Sequence, residues 1–282
     1  MSKETVDSKV IVITGASSGI GKAMAEQLSQ KGHFVYALAR RLPDGLADPE
    51  KIRFFEPGLL CPVQLDVTNP VAAQRVVRQI IERENRIDIL VQAAGFGLAG
   101  AVEDATPEEM EAQIDTNLFG SCYLLNPILT QMRQQHDGLI VQLSSVASFM
   151  PLPFQAFYSA SKAAVTSLML ALANEVRPFH IQVMVVQPGD TQTGFTDSRM
   201  MCAVSHRSYY ADRCRRSVGK MAADEQKGMS SARMADLIIR RMLRRKPPLI
   251  YIPGLFYKAA AVVQRLLPVR LVNSLLYFLY AR

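Results

Sequence analysis

Lys9-Val10-Ile11-Val12-Ile13-Thr14-Gly15-Ala16-Ser17-Ser18-Gly19-Ile20-Gly21 is the stretch whose reading decides the fold of this 282-residue chain. Val10 to Ile13 is a continuous apolar run, short enough for a strand buried on both faces of a parallel sheet. It leads directly into glycines spaced Gly-x-x-x-Gly-x-Gly, and a helical pattern follows through Ala23, Met24, Ala25 and Leu28 to Gly32. Glycines let a backbone approach a phosphate closely, and a helix N-terminus carries partial positive charge. A strand, a glycine-rich turn and a helix in that order make a phosphate cradle. Its contacts would come from Gly15, Ser17, Ser18, Gly19, Ile20 and Gly21.

Outward from this stretch, apolar runs alternate with helical patterns. His33 to Ala39 reads as the second strand, and Leu42 to Cys61 as a loop containing Pro43, Pro49 and Pro57. Pro62 to Val67 is a third strand, Val71 to Glu84 a helix, and Ile87 to Val91 a fourth strand ending in Gln92-Ala93-Ala94-Gly95. A helix starts near Pro107, with Glu108 and Glu109 matching its dipole. Asn117 to Gln135 is helical, with a kink expected at Pro127. Leu139 to Leu143 is a fifth strand that delivers Ser144 and Ser145, Ile181 to Val186 a sixth, and Leu249 to Ile252 the last. This alternation predicts an α/β fold, one doubly wound Rossmann-type domain with a central parallel sheet. Its core would span residues 10–195, a small helical lid 196–247, and the last strand and a hydrophobic tail 248–282.

The end of the second strand meets the adenosine ribose in such folds. An acidic residue there binds a 2′-hydroxyl and repels a 2′-phosphate. This chain has Ala39 followed by Arg40 and Arg41, which favours NADP(H), because a guanidinium pairs with phosphate in a bidentate way.

A second stretch supplies acid–base chemistry. Phe157-Tyr158-Ser159-Ala160-Ser161-Lys162 opens a helix with no breaker before Pro178. Positions four apart share a helix face, so Lys162 lies beside Tyr158. A phenol titrates near ~10, and a fixed positive charge next to it stabilises the phenolate. A lone Tyr-x-x-x-Lys arises by chance in many helices. The surrounding motifs give this one its weight.

These motifs resemble the short-chain dehydrogenase/reductase family, in its NADP-preferring subgroup and similar to hydroxysteroid dehydrogenase-like members. The resemblance spans residues 10–195 and rests on Thr14 to Gly21, Asp66-Val67, Ala93-Ala94-Gly95, Asn117, Ser145, Tyr158 with Lys162, and Pro188-Gly189. It implies that Tyr158 is the general acid in ketone reduction and the base in alcohol oxidation. Ser145 would orient the carbonyl, Lys162 would lower the tyrosine pKa and hold the nicotinamide ribose, and Asn117 would position a water in the proton relay. Asp66 would contact adenine, with Val67, Ala94 and Gly95 beside it on the cofactor. Pro188, Gly189, Thr191 and Thr193 resemble the loop that binds the carboxamide. The chain departs from the family at Gln92 and Ala93, where an asparagine is usual.

The net charge is +7, which raises nucleic acid as a partner. The basic residues cluster at 213–220 and 240–246 without any zinc-finger spacing or RNA-binding aromatic motif, so nucleic acid is set aside. Cys61, Cys122, Cys202 and Cys214 form no Cys-x-x-Cys pair, and the N-terminus reads as polar rather than as a signal peptide. The expectation is reduced thiols in a cytoplasmic protein, with no metal site. Cys202, His206 and Cys214 lack a tight pair and a fourth ligand.

On the substrate side, Leu152, Phe154 and Phe157 form an apolar wall before Tyr158, and Ser145 and Tyr158 would bind the reacting oxygen. Residues 195–231 lack regular periodicity and carry Met200, Met201, Tyr209, Tyr210 and Met221. A hydrophobic alcohol or ketone, such as a steroid, retinoid or lipid, fits such a surface. The alternatives are a non-catalytic NADP(H)-binding regulator and a reductase of small polar carbonyls. In the tail, Val269, Val272, Leu275, Leu276 and Leu279 give a helical apolar stripe. Packing on the core is the first expectation for it, peripheral membrane contact the second and subunit contact the third, and the chain is expected to be a homo-dimer or tetramer.

Overall fold

The computed structural model describes residues 8–42, 59–196 and 198–282; the prolines at 43, 49 and 57 fall outside them. In chain order the elements begin β1 (Val10–Thr14), α1 (Gly19–Gln30), β2 (Phe34–Ala39), β3 (Leu60–Gln64), α2 (Pro70–Glu84), β4 (Ile89–Gln92) and β5 (Leu98–Ala99). They continue with α3 (Pro107–Ile114), α4 (Gly120–Gln135), β6 (Gly138–Leu143), α5 (Ala156–Glu175), β7 (Ile181–Val186), β8 (Thr191–Gln192) and β9 (Met200–Met201). The C-terminal part holds α6 (Ala211–Gln226), β10 (Met229–Ser230), α7 (Ser231–Met242), β11 (Ile250–Tyr251), α8 (Leu255–Leu266) and α9 (Val269–Tyr280).

Seven strands form one sheet in the order β11-β7-β6-β4-β1-β2-β3, and every neighbouring pair is parallel. All five β1 residues are buried, which is why its sequence is apolar throughout rather than alternating. Val10 and Val12 face a core with α2, α4 and α5, and Ile11 and Ile13 face one with α1 and α7. Each such side chain contributes about 1.5–3 kcal/mol by leaving water. The chain runs outward through β2 and β3, then returns to pair β4 on the other side of β1. The C-terminal ends of β1 and β4 therefore diverge into a crevice, where open α/β sheets bind ligands.

β3 ends at Gln64, earlier than the alternation suggests, so Asp66 and Val67 lie beyond the strand. Pro62 is tolerated because β3 is an edge strand. α3 opens with a capping box between Thr106 and Glu109. α4 continues through Pro127, and the irregular turn lies upstream, a π-helical turn over Asp115–Phe119. Such turns are frequent at functional sites, and this one carries Asn117. The stretch read as aperiodic contains α6, whose buried positions are Cys214, Ser217 and Met221. Its mostly charged surface hid that narrow stripe. The tail folds into α8 and α9, but packing covers only part of it. Leu276 of the expected stripe is buried, whereas Val269, Leu275 and Leu279 are exposed. The four cysteines are free thiols.

Candidate active site

The cradle is built from backbone. Gly15 has φ +66°, and a Cβ there would sit 2.6 Å from the Ala94 nitrogen. A Cβ on Gly21 would sit 2.5 Å from the Gly15 oxygen. The turn, the start of α1 and the loop after β4 thus touch with no room for side chains. α1 has no acidic residue in its first turn and no side-chain cap from Ser18, so its N-terminal amides are left for an anionic ligand. The missing asparagine after β4 is replaced from the neighbouring strand. The Thr14 hydroxyl accepts from the Ala93 and Ala94 nitrogens at 3.1 and 3.2 Å, and Gln92 Nε2 donates to the Ser121 carbonyl at 2.7 Å.

A cavity of about 810 Å3 runs from this cradle to Tyr158. Its lining includes Gly15, Ser17, Ser18, Gly19, Ile20, Gly21, Arg40, Arg41, Val67, Ala94, Gly95, Ser145, Leu152, Lys162, Pro188, Gly189, Thr191 and Thr193. Four expected contacts are not on its wall. Asp66 is exposed and accepts from the Thr68 nitrogen and hydroxyl at 2.9 and 2.8 Å, turned outward between Leu65 and Val67, which both line the cavity. Asn117 is fully buried behind the wall. Phe154 has a left-handed backbone, φ +60°, and faces a second cavity with Tyr210, Arg213 and Ala281. Phe157 does not line the main cavity either.

The polar centre is tightly tied. Asn117 Oδ1 accepts from the Phe96 nitrogen at 3.1 Å, and its Nδ2 donates to the Phe96 carbonyl and Ser161 Oγ, both at 3.0 Å. Lys162 Nζ donates to the Leu143 carbonyl at 3.0 Å and lies 5.8 Å from the centre of the Tyr158 ring. Gly95 leaves room for both, since its Cβ would fall 3.0 Å from Asn117 Oδ1 and 3.4 Å from Lys162 Nζ. Ser145 Oγ accepts from the Ala147 nitrogen at 3.1 Å.

The electrostatics differ from the simple helix argument. Burial pushes Tyr158 up to about 12, against a hydrogen bond from Ser145 that draws it down. Burial also pulls Lys162 down to about 8. Desolvation of both groups thus outweighs any help from the lysine charge.

Sequence reasoning missed a charged pair on the far wall. Arg199 Nη2 binds Glu225 Oε1, and Thr196 Oγ1 donates to Glu225 Oε2 at 2.5 Å. The Arg199 side chain is 3% exposed and its guanidinium lies 5.7 Å from the centre of the Phe195 ring. Phe195 in turn lies 5.4 Å from Tyr158, and Glu225 lines the cavity. No local motif marks a glutamate at the end of a charged helix, so nothing in the sequence singled it out.

Residues 9–201 match the family model described as short chain dehydrogenase. The chain belongs to the short chain dehydrogenase family. A 3-ketodihydrosphingosine reductase from Bacteroides thetaiotaomicron is 40% identical over 241 residues, 85% of this chain and 86% of that one. A probable short-chain type dehydrogenase/reductase, VdlC, from Helicobacter pylori is 30% identical over 94% of this chain and 95% of its own. The solved structure of a short-chain dehydrogenase from Streptomyces avermitilis has a TM-score of 0.77 and 30% identity, covering 92% of this chain and 94% of that one. Family membership makes the chain an oxidoreductase, and the cradle, the cavity volume and the uncapped helix fit a nicotinamide dinucleotide.

Proposed function

We propose that this chain is an NADP(H)-dependent ketoreductase acting on a long-chain lipid ketone, with 3-ketodihydrosphingosine as the leading candidate. The observation that carries the reading is the group Ser145, Tyr158 and Lys162 at the inner end of a cavity that begins at a phosphate cradle. The bound cofactor would supply the hydride. Tyr158, held protonated at neutral pH by burial, would donate its proton to the carbonyl oxygen while the Ser145 hydroxyl orients that oxygen. Lys162 would hold the cofactor ribose, and Asn117 would keep the Gly95-Phe96 loop fixed to α5 through its bonds to Phe96 and Ser161.

Arg40 and Arg41, exposed at the end of β2 directly after Ala39, where an acid would mark NAD(H), support NADP(H) over NAD(H). Among steroid, retinoid and lipid substrates, the Bacteroides relative favours a lipid. Its named substrate carries an amine next to the ketone. Glu225 is a carboxylate on the cavity wall near Tyr158, suited to pair with that ammonium. Leu152, Phe195 and Met200 would contact the chain.

The test is cofactor consumption by the purified chain with 3-ketodihydrosphingosine, a steroid ketone, retinal and a small keto-sugar, each with NADPH and NADH. The expected result is turnover of the long-chain amino ketone with NADPH. Turnover confined to the keto-sugar would overturn the substrate reading, and NADPH binding with no turnover of any carbonyl would favour a regulator.

A further inference from the structure

α8 and α9 each hold the molecule by one face and leave another uncovered. On the inner side, the Tyr257 hydroxyl donates to Asp190 Oδ2 and accepts from the Asp190 nitrogen at 3.1 Å. Arg213 donates to the Ala281 carbonyl at 3.0 and 2.9 Å, and Leu276 is buried. On the outer side of α8, Leu255, Val262 and Leu266 repeat at helical spacing and are 84%, 58% and 78% exposed. On α9, Leu271, Leu275 and Phe278 do the same, and Phe278 is 60% exposed. Single exposed leucines need no explanation, but two successive stripes do.

The charge carried by these two helices has one sign, and the neighbouring acids Asp190 and Asp224 meet their inner side, at Tyr257 and Tyr280. Residues 255–282 contain Lys258, Arg265, Arg270 and Arg282 and no aspartate or glutamate. All four cations are exposed, and Lys258 and Arg265 flank the α8 stripe at the same seven-residue spacing as Leu255 and Val262.

We propose that α8 and α9 are a docking surface for an anionic lipid bilayer. Each helix has 12 residues, about 18 Å of length, against a hydrocarbon core of about 30 Å, so neither spans it. Lying in the interface, the leucines and Phe278 enter the acyl boundary while the lysine and arginines reach anionic headgroups on long stems. A second copy of the chain is a poorer occupant, since symmetric pairing brings like charges together with no tail acid to offset them. The inner contacts give docking a route to the active site. Tyr257 packs against Gly189 and bonds Asp190, and both of those residues line the cavity.

The test is co-sedimentation of the full chain with vesicles of phosphatidylcholine alone or mixed with phosphatidylglycerol. Nucleotide and ketone are both absent, so failure here is separate from failure of the ketoreductase reading. Binding is expected only to the mixed vesicles, falling on the order of tenfold or more between low and high salt. Leu275→Glu combined with Phe278→Glu should lower binding on the order of a hundredfold, with thermal melt and elution mass unchanged. A milder variant, Arg270→Gln with Arg265→Gln, should weaken binding several-fold without touching the apolar stripe. No binding to either vesicle, or equal binding to both, would overturn the proposal. So would a drop from dimer to monomer in the glutamate variant, which would assign the face to a second copy.

Discussion

The two ends of the main cavity are made in different ways. At the β1–α1 end the walls are backbone, with Gly15 and Gly21 packed too closely to admit a Cβ and helix amides left uncapped. At the α6 end the walls include side chains brought from distant segments, Glu225 and Asp190, held from behind by Arg199 and Tyr257. Most of a backbone-built site can be read from one stretch, because the turn that shapes it is also the sequence that encodes it; here Ala93 and Ala94 come from elsewhere. A side-chain-built site requires only that residues meet in space, which leaves it free to vary with the substrate.

The largest effect expected from breaking this contrast is at the backbone end. Gly15→Val would force a β-branched residue into a left-handed conformation against Ala93 and Ala94. It should cost roughly 2 kcal/mol or more, lower the melting temperature and abolish measurable NADPH binding in a titration. Arg40→Asp should weaken NADPH about tenfold to a hundredfold while leaving NADH within about threefold, read by the same titration. Equal loss for both cofactors would remove Arg40 from 2′-phosphate recognition.

At the side-chain end the effects are smaller and depend on substrate. Glu225→Gln should lower stability by leaving the buried Arg199 without its carboxylate, and should raise KM for the amino ketone roughly tenfold more than for a long-chain ketone without the amine. Equal effects on both would make Glu225 a structural partner of Arg199 only. The pH profile should show the smallest change. As pH rises through about 8, Lys162 loses its proton, whereas Tyr158, pushed up to about 12, keeps its own. Reductive kcat/KM should therefore decline a few-fold above about 8, and a profile flat to about 10 would contradict a role for the Lys162 charge.

The same contrast explains what could be read in advance. β7 spans Ile181–Val186 and α5 carries Tyr158 and Lys162 as the apolar patterns imply, because burial on both sheet faces leaves a plain signature. Asp66 turns outward to bond Thr68 while Leu65 and Val67 on either side line the cavity, a facing that the residue types alone do not announce. Phe154 is turned away by a backbone conformation that its residue type does not announce. Helical spacing places Lys162 beside Tyr158 but does not reveal the burial that governs both groups. The apolar stripe Val269, Val272, Leu275, Leu276 and Leu279 was visible, but which of its residues turn outward depends on contacts such as that of Arg213 with the Ala281 carbonyl.

The central claim is that Tyr158 delivers a proton to a long-chain ketone while the cradle holds NADPH independently of it. Single-turnover NADPH oxidation with 3-ketodihydrosphingosine, compared between the native chain and Tyr158→Phe, tests it most directly. The predicted result is turnover by the native chain and a fall on the order of a hundredfold or more in the variant, with NADPH affinity changed less than about threefold. Turnover within about threefold of native in the variant would contradict the account.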